Sequence, residues 1–379
     1  MRQVERAIFD LRRGLPILIR GDAGDLLVHP LEGCDDDALA ALATLSGNPP
    51  ALALTRHRLA LLEREIETRA ALVPVAAASL ADDIVDWACR EAASLPADID
   101  LRDADPIHVA AIDLMRIGLL IPAAVVSAVS PAQREKVEAL ISEGTLLAVP
   151  LAPIAAYDAA PSRFLKRTSE AEIPLSHAER ARFVMFREAD GMREHIAILI
   201  GDPEAWSDAV PVRLHSACLT GDLFGSLRCD CGEQLRESVR TIDERGGGVL
   251  LYLAQEGRGI GLANKLRAYT LQDGGLDTVD ADHVLGFGDD ERTYGVALEM
   301  LEQLDIARIE LLTNNPEKIA AMDQGGVEVV NRRGVYGKLT KQNRRYLNAK
   351  AERAGHWLEE VLEQEGEAEL GSLKRPFAR

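Results

Sequence analysis

The chain has 379 residues, 47% hydrophobic and 27% charged. Those are values of a folded rather than a disordered protein, and the length fits two domains at roughly 150 residues each. The formal net charge of −18, from 43 basic and 61 acidic residues, argues against non-specific binding to nucleic acid or an anionic membrane. It leaves room for a small polyanion held by a local cluster of Arg and Lys. No apolar run reaches the 18 residues of a membrane span. The opening MRQVERAIFDLRRG lacks the apolar centre of a secretion signal, so a cytoplasmic protein is expected.

In chain order, Pro16–Ile19 and Ala51–Leu54 read as short buried strands. Asp36–Leu45 and Leu59–Ala70 read as helices, Val109–Gly118 as another, and Ala124–Val129 as a strand. The alternation points to an α/β layer structure. Tyr157–Arg182 is polar and mixed in sign, which places a domain junction near 165–175. Beyond it, His195–Ile200, Val212–His215, Val249–Leu253, Ile309–Thr313 and Val327–Val330 read as strands. Gly232–Arg245, Gly261–Gln272, Arg292–Leu304 and a stretch from Pro316 read as helices, with Pro316 suited to a first helical turn. The last 20 residues are charged and read as a tail or frayed helix.

The cysteines are Cys34, Cys89, Cys218, Cys229 and Cys231. An odd count without a secretion signal argues against a disulfide framework. Three of them lie in LHSACLTGDLFGSLRCDCGEQL, residues 214–235, spaced C-x10-C-x-C. A thiolate triplet suits zinc, and three ligands with an open position is the catalytic pattern. Spacing alone leaves two other readings: buried structural thiols, or a closed site with His215 as fourth ligand. Arg213, His215, Ser216 and Arg228 are polar groups close enough in sequence to hold a phosphate.

Three further stretches carry chemistry-bearing residues. QEGRGIGLANKLRAYTLQDGG, residues 255–275, puts glycines before a helix, where backbone N–H groups can approach phosphates; a tight strand-to-helix turn explains it equally well. GFGDDERTYG, residues 286–295, is either an acidic helix start or a general base beside a guanidinium. LLTNNPEK, residues 311–318, ends a strand in Thr and two Asn at the usual ligand edge of an α/β layer.

Taken together, these stretches resemble GTP cyclohydrolase II, the zinc enzyme that opens guanine to begin riboflavin biosynthesis. The resemblance covers roughly residues 176–357. It runs through EHIAILIGD, RLHSACLTGDLFGSLRCDCGEQL, LLYLAQEGRGIGLANKLRAYTLQD, VLGFGDDERTYG, LLTNNPEK and YLNAKAERAGH. It implies that Cys218, Cys229 and Cys231 are zinc ligands, that Tyr269 is the catalytic tyrosine, that Asp290 is a proton acceptor and that Arg292 is a nucleophile. It further implies that Arg213, Leu214, His215, Ser216, Ala217, Gln234, Glu256, Gly257, Arg258, Thr278, Thr313 and Lys318 line the nucleotide site. Water, activated on zinc near neutral pH, is expected to attack the imidazole carbon of guanine, which leaves as formate, with Tyr269 assisting by proton transfer. Diphosphate is expected to leave by attack of Arg292 on the α-phosphorus. An Arg pKa above about 12 requires help from Asp290 for that step. Mg²⁺ is expected with the triphosphate, and a homodimer is expected from the family. One departure stands out: Ala217 takes the place of the family's usual Glu in H-S-E-C.

Residues 3–155 resemble, more weakly, dihydroxybutanone phosphate synthase, through AIFDLRRG, ALALTRHRLALL, HVAAIDLMRIGLLIPAAVVSAV and LLAVPLAPI. The synthase's acidic, magnesium-holding loop is reduced here to RGDAGD, residues 20–25. Its G-H-T-E-A-A motif falls on Pro106–Ala111, which puts Ile107 at the metal-binding His and Val109 at the Glu. A hard cation needs oxygen ligands, so a degenerate scaffold is expected. The resulting expectation is an α/β (α+β) chain of two folds. A degenerate synthase-like domain spans 1–165, a GTP cyclohydrolase II-like catalytic domain spans 172–360, and a charged tail spans 361–379. Two other functions remain open: a paralogous enzyme opening another nucleotide ring, marked by Ala217, or a zinc- and nucleotide-binding regulator that has lost turnover.

Overall fold

The computed structural model describes residues 2–158, 165–337, 340, 343 and 357. The closing YLNAKAERAGH and the tail lie outside the described residues. Two compact units emerge, one of Met1–Ala160 with Gly259–Glu291, the other of Pro161–Arg258 with Arg292–Arg379. Each is built on a seven-stranded mixed sheet.

The first sheet contains β1 (Ile17–Gly21), β2 (Gly24–Pro30), β3 (Ala51–Thr55), β4 (Ala70–Pro74), β5 (Arg102–Asp103), β6 (Ala123–Ala128) and β7 (Leu147–Pro150), in the order β5-β4-β3-β6-β2-β1-β7. Only the β1–β7 pairing is parallel. Its strands are short Leu, Val, Ile and Ala runs because the sheet is buried; Leu18, Leu27, Leu52, Leu54, Val73 and Val125 are at most 1% exposed within one cluster. The helix Pro106–Ile117 starts with Pro in its first turn and hides Ala110, Ala111, Leu114 and Met115.

The second sheet contains β8 (Lys166–Glu172), β9 (Ala181–Arg187), β10 (Glu194–Ile200), β11 (Val210–Ser216), β12 (Gly248–Leu253), β13 (Arg308–Leu312) and β14 (Glu328–Arg333), in the order β14-β13-β11-β12-β10-β9-β8. β11 to β14 form a parallel block, with β8 to β10 added antiparallel. Alternation feeds both faces. Val249, Leu251, Ile309 and Leu311 join one core cluster with the helix Gly295–Gln303. Ile198, Ile200, Leu250 and Leu312 join another with Val239 and Ile242 of the helix Cys231–Glu244. The parallel block therefore ends along one edge, where α/β sheets bind ligands.

Three sequence expectations are corrected. The helix expected over Leu59–Ala70 is only Arg56–Leu61. Glu63 turns left-handed at φ 58, and the chain must return at Ala70 to pair with Thr55. The helix expected from Arg292 begins at Gly295. The polar stretch Tyr157–Arg182 contains β8, every residue of it exposed. Its charges suit an edge strand, which must discourage further pairing. The chain also passes between the units around Arg258–Gly259 and Glu291–Arg292, so Tyr269, Thr278 and Asp290 fall in the first unit. Among the described residues, no helix is long and apolar enough to cross a membrane.

Candidate active site

β11 sets the site by simple alternation. Val212 and Leu214 point into the core, so Arg213 and His215 occupy the opposite face, 5% and 3% exposed. Arg213 donates to the Leu312 carbonyl at 2.9 Å and to Gln234 Oε1 at 2.7 Å. Gln234 in turn donates to Asp230 at 2.5 Å. Burial pushes the guanidinium pKa down to about 10, against the pull of Asp230 and Cys231, so it stays charged at neutral pH. Arg292 lies within electrostatic reach of it.

His215 has its Nε2 3.2 Å from both oxygens of Asp222 and stacks on Tyr252 at 5.6 Å. Burial lowers its pKa even against the Asp222 hydrogen bond. A neutral ring that donates through Nε2 leaves Nδ1 as an acceptor. Asp222 also accepts from the Cys218 N–H at 2.9 Å and from the Tyr252 hydroxyl at 3.0 Å. One carboxylate therefore orients a histidine, a tyrosine and the backbone of the first cysteine.

Cys218, Cys229 and Cys231 bring their sulfurs within 4.8 Å of one another, and the Cys218 and Cys229 sulfurs lie 3.7 Å apart. Tetrahedral zinc with Zn–S of about 2.3 Å sets sulfurs about 3.8 Å apart, so the donor set fits the ion. Gly221 makes the close approach possible: a Cβ there would sit 2.7 Å from the Cys229 sulfur and 3.1 Å from that of Cys218. Among the described residues the cluster holds these three ligands and not His215, whose Nε2 is engaged by Asp222. That is the three-ligand pattern of catalytic rather than closed zinc sites.

The ends of β12 and β13 complete this edge. Glu256 accepts from the Leu219 N–H at 2.6 Å and the Gly257 N–H at 3.0 Å, tying the strand end to the turn after Cys218. Gly257 and Arg258 are both left-handed, at φ 62 and φ 59. Such a conformation is costly for a non-glycine residue and concentrates at functional turns. Gln255 donates to the Thr293 carbonyl. Thr313 Oγ1 accepts the Asn315 N–H at 3.0 Å, and Asn315 caps the helix Pro316–Gln324. From that helix Lys318, 5% exposed, donates to the Leu214 carbonyl at 2.7 Å. Leu214 thus offers the site its backbone, its side chain being core. Ala217 contributes its N–H to Leu253 at 2.8 Å.

Five buried polar atoms along this edge have no hydrogen-bond partner among the described residues: Arg213 Nε, His215 Nδ1, Ser216 Oγ, Gln255 Oε1 and Asn315 Nδ2. Buried polar groups are nearly always satisfied, so their concentration marks a place built for a polar ligand. Sequence reasoning missed Asp222, Tyr252 and Gln255. An acid four residues past a cysteine has no distinctive pattern, Tyr252 reads as part of a strand, and Gln255 opens the QEGRG stretch with no pattern of its own.

The sequence profile of the GTP cyclohydrolase II family matches residues 166–334. A GTP cyclohydrolase-2 of Azospirillum brasilense is 43% identical over 363 residues, 94% of each chain. The chain belongs to the GTP cyclohydrolase II family. As a GTP cyclohydrolase II it is an enzyme of riboflavin biosynthesis, and its cysteine triplet is consistent with a zinc site. A GTP cyclohydrolase-2 of Pseudomonas paraeruginosa is 50% identical over 186 residues, covering 48% of this chain and 88% of that protein. Among solved structures, a two-domain 3,4-dihydroxy-2-butanone 4-phosphate synthase from A. baumannii aligns with 88% of this chain and 99% of its own, at 17% identity and a TM-score of 0.34.

The remaining sequence-derived site residues of this GTP cyclohydrolase II lie in the first unit. Tyr269 stands half-buried on the helix Leu262–Asp273, with the Lys265 ammonium 5.6 Å from its ring centre. Thr278 opens the helix Thr278–Val284. Asp290 lies in the irregular stretch after Phe287, itself 1% exposed.

Proposed function

We propose that the edge of β11, β12 and β13 binds GTP and that this chain converts it to 2,5-diamino-6-ribosylamino-pyrimidinone 5′-phosphate, formate and diphosphate. The observation that carries the reading is the row of five unsatisfied buried polar atoms beside three converging thiols. Arg213, Ser216 and Lys318 supply cationic and hydroxyl groups suited to a phosphate chain; Mg²⁺ accompanies the triphosphate. Cys218, Cys229 and Cys231 would hold zinc, which supplies a Lewis acid that activates water near neutral pH. His215, kept neutral by burial and oriented by Asp222, is available to accept a hydrogen bond or a proton at Nδ1. Tyr269 assists proton transfer during ring opening. Arg292, with Asp290, acts at the α-phosphorus. Gln234, Glu256, Gly257, Arg258, Thr278 and Thr313, with the backbone of Leu214 and Ala217, complete the nucleotide site. The enzyme is proposed to work as a homodimer in the cytoplasm.

The N-terminal half is read as a degenerate synthase fold, over 1–165, ahead of a catalytic domain over 172–360 and a tail over 361–379. Two contacts support the degeneracy. Any Cβ at Gly21, in the β1–β2 hairpin, would sit 2.9 Å from Ile107 Cδ1, so an apolar side chain fills the corner where the synthase motif has its metal-binding histidine. His108, one position away, uses its Nδ1 to accept the Asp105 N–H at 3.1 Å and serves as a helix cap.

Incubation of the zinc-loaded full chain with GTP and Mg²⁺ tests the reading. One formate and one diphosphate per GTP are expected; diphosphate without formate, or neither, contradicts it.

A further inference from the structure

Within the first unit, the segment Gly259–Glu291 is tied to the N-terminal elements by specific polar contacts. Thr55, the last residue of β3, donates its hydroxyl to the Gly286 carbonyl at 2.8 Å in a buried bond. Arg116, near the end of the helix Pro106–Ile117, pairs with Glu291. The other oxygen of Glu291 accepts the Gly288 N–H at 2.8 Å. Arg116 is itself held by Asp113 at 3.6 Å, and Asp113 by Arg69 at 3.1 Å. Further back, Asn264 donates to the Leu119 carbonyl at 3.0 Å, and Arg267 meets Glu32 at 3.1 Å.

The loop Gly286–Glu291 is not locked by close packing alone. A cavity of about 280 Å³ runs beside it, lined by Thr55, His57, Val109, Ile112, Gly286 and Gly288 among others. Phe287 packs the middle of the loop into an apolar cluster, and the polar ties hold the flanking residues that border the cavity, up to Glu291. Asp290 immediately precedes Glu291, and Arg292 immediately follows it.

We infer that the N-terminal half of this chain is a clamp for the loop that carries Asp290, with Arg116 and Thr55 as its positioning residues. The inference rests on the reading that Asp290 takes part in the reaction. It gives the N-terminal half a part in the cyclohydrolase reaction without any chemistry of its own. Misplacing a reacting group by about 1 Å can lower a rate about 100-fold, so loss of the clamp shows in kcat rather than in GTP or zinc binding.

The test uses the zinc-loaded full chain and formate release from GTP. Arg116→Ala is expected to lower kcat about 10- to 100-fold, with KM, zinc content and the unfolding transition within twofold or a few degrees of the parent. Arg116→Glu is expected to do the same, and the swap Arg116→Glu with Glu291→Arg to recover most of the loss. Thr55→Val supplies a second, uncharged break of the clamp, expected to lower kcat in the same way if the Arg116 variants fail to fold. Wild-type kcat in Arg116→Ala and Thr55→Val overturns the clamp, and so does a swap that recovers nothing. Asp290→Asn separates the claims. An inactive Asp290→Asn beside a fully active Arg116→Ala overturns the clamp alone. An active Asp290→Asn overturns the reading beneath it, and the clamp with it.

Discussion

In the second unit, β11, β12 and β13 end in Arg213, His215, Ser216, Gln255, Thr313 and Asn315, most of them buried and several short of partners. In the first unit, the corner between the β1–β2 hairpin and the helix from Pro106 is occupied by Ile107, and Val109 follows on the same helix. Both sheets have seven strands and continuous aliphatic cores. The difference teaches that burying alternating Leu, Val and Ile maintains a sheet whether or not its edge retains polar groups. Chemistry resides in a few edge positions whose burial costs stability until a ligand satisfies them.

Breaking the polar edge should have the largest effect. Cys229→Ser is expected to lose bound zinc and all detectable formate release, measured by metal analysis and a formate assay. Asp222→Ala comes next: it removes the shared acceptor of His215, Tyr252 and the Cys218 N–H. Loss of such support around a metal site typically costs about 10- to 100-fold in affinity, so zinc retention against a chelator should fall by that factor, with Asp222→Asn intermediate.

A buried arginine of the first unit tests stability instead. Arg58, 1% exposed, donates to the carbonyls of Trp87, Asp86 and Arg90 at 2.7, 3.0 and 2.6 Å. It closes the end of the helix Ala81–Cys89, where carbonyls lack partners. Arg58→Ala is expected to cost about 3 kcal/mol in denaturant unfolding, with zinc content unchanged.

The smallest effects belong to the other two cysteines. Burial pushes the Cys34 thiol up to about 11 and raises that of Cys89. At pH 8 about 0.1% of Cys34 is thiolate, so iodoacetamide should leave it unmodified in the native protein. Cys34→Ser and Cys89→Ser should each keep activity within twofold. Rapid alkylation of Cys34, or zinc loss in either variant, would blur the contrast between the two halves.

Much of this was legible in the sequence. The strand runs Ala51–Leu54 and Val249–Leu253, the cysteine triplet and the Asn-Pro helix start all lie where their local patterns put them, because each depends on neighbours in the chain. The shortened helix at Arg56–Leu61 was not, since a long-range pairing of Thr55 with Ala70 overrides its periodicity. Asp222 was not either: its role exists only once β11, β12 and the cysteine turn are assembled. Nor does periodicity announce that Gly259–Glu291 gathers with the N-terminal elements through Thr55 and Arg116.

The contrast between the halves meets its most direct test in formate release by the zinc-loaded full chain, supplied in parallel with GTP and with ribulose 5-phosphate, each with Mg²⁺. Formate from GTP and none from ribulose 5-phosphate is the expected result. Formate from ribulose 5-phosphate, or none from GTP, would contradict a chain that opens GTP while its N-terminal synthase fold has no turnover of its own.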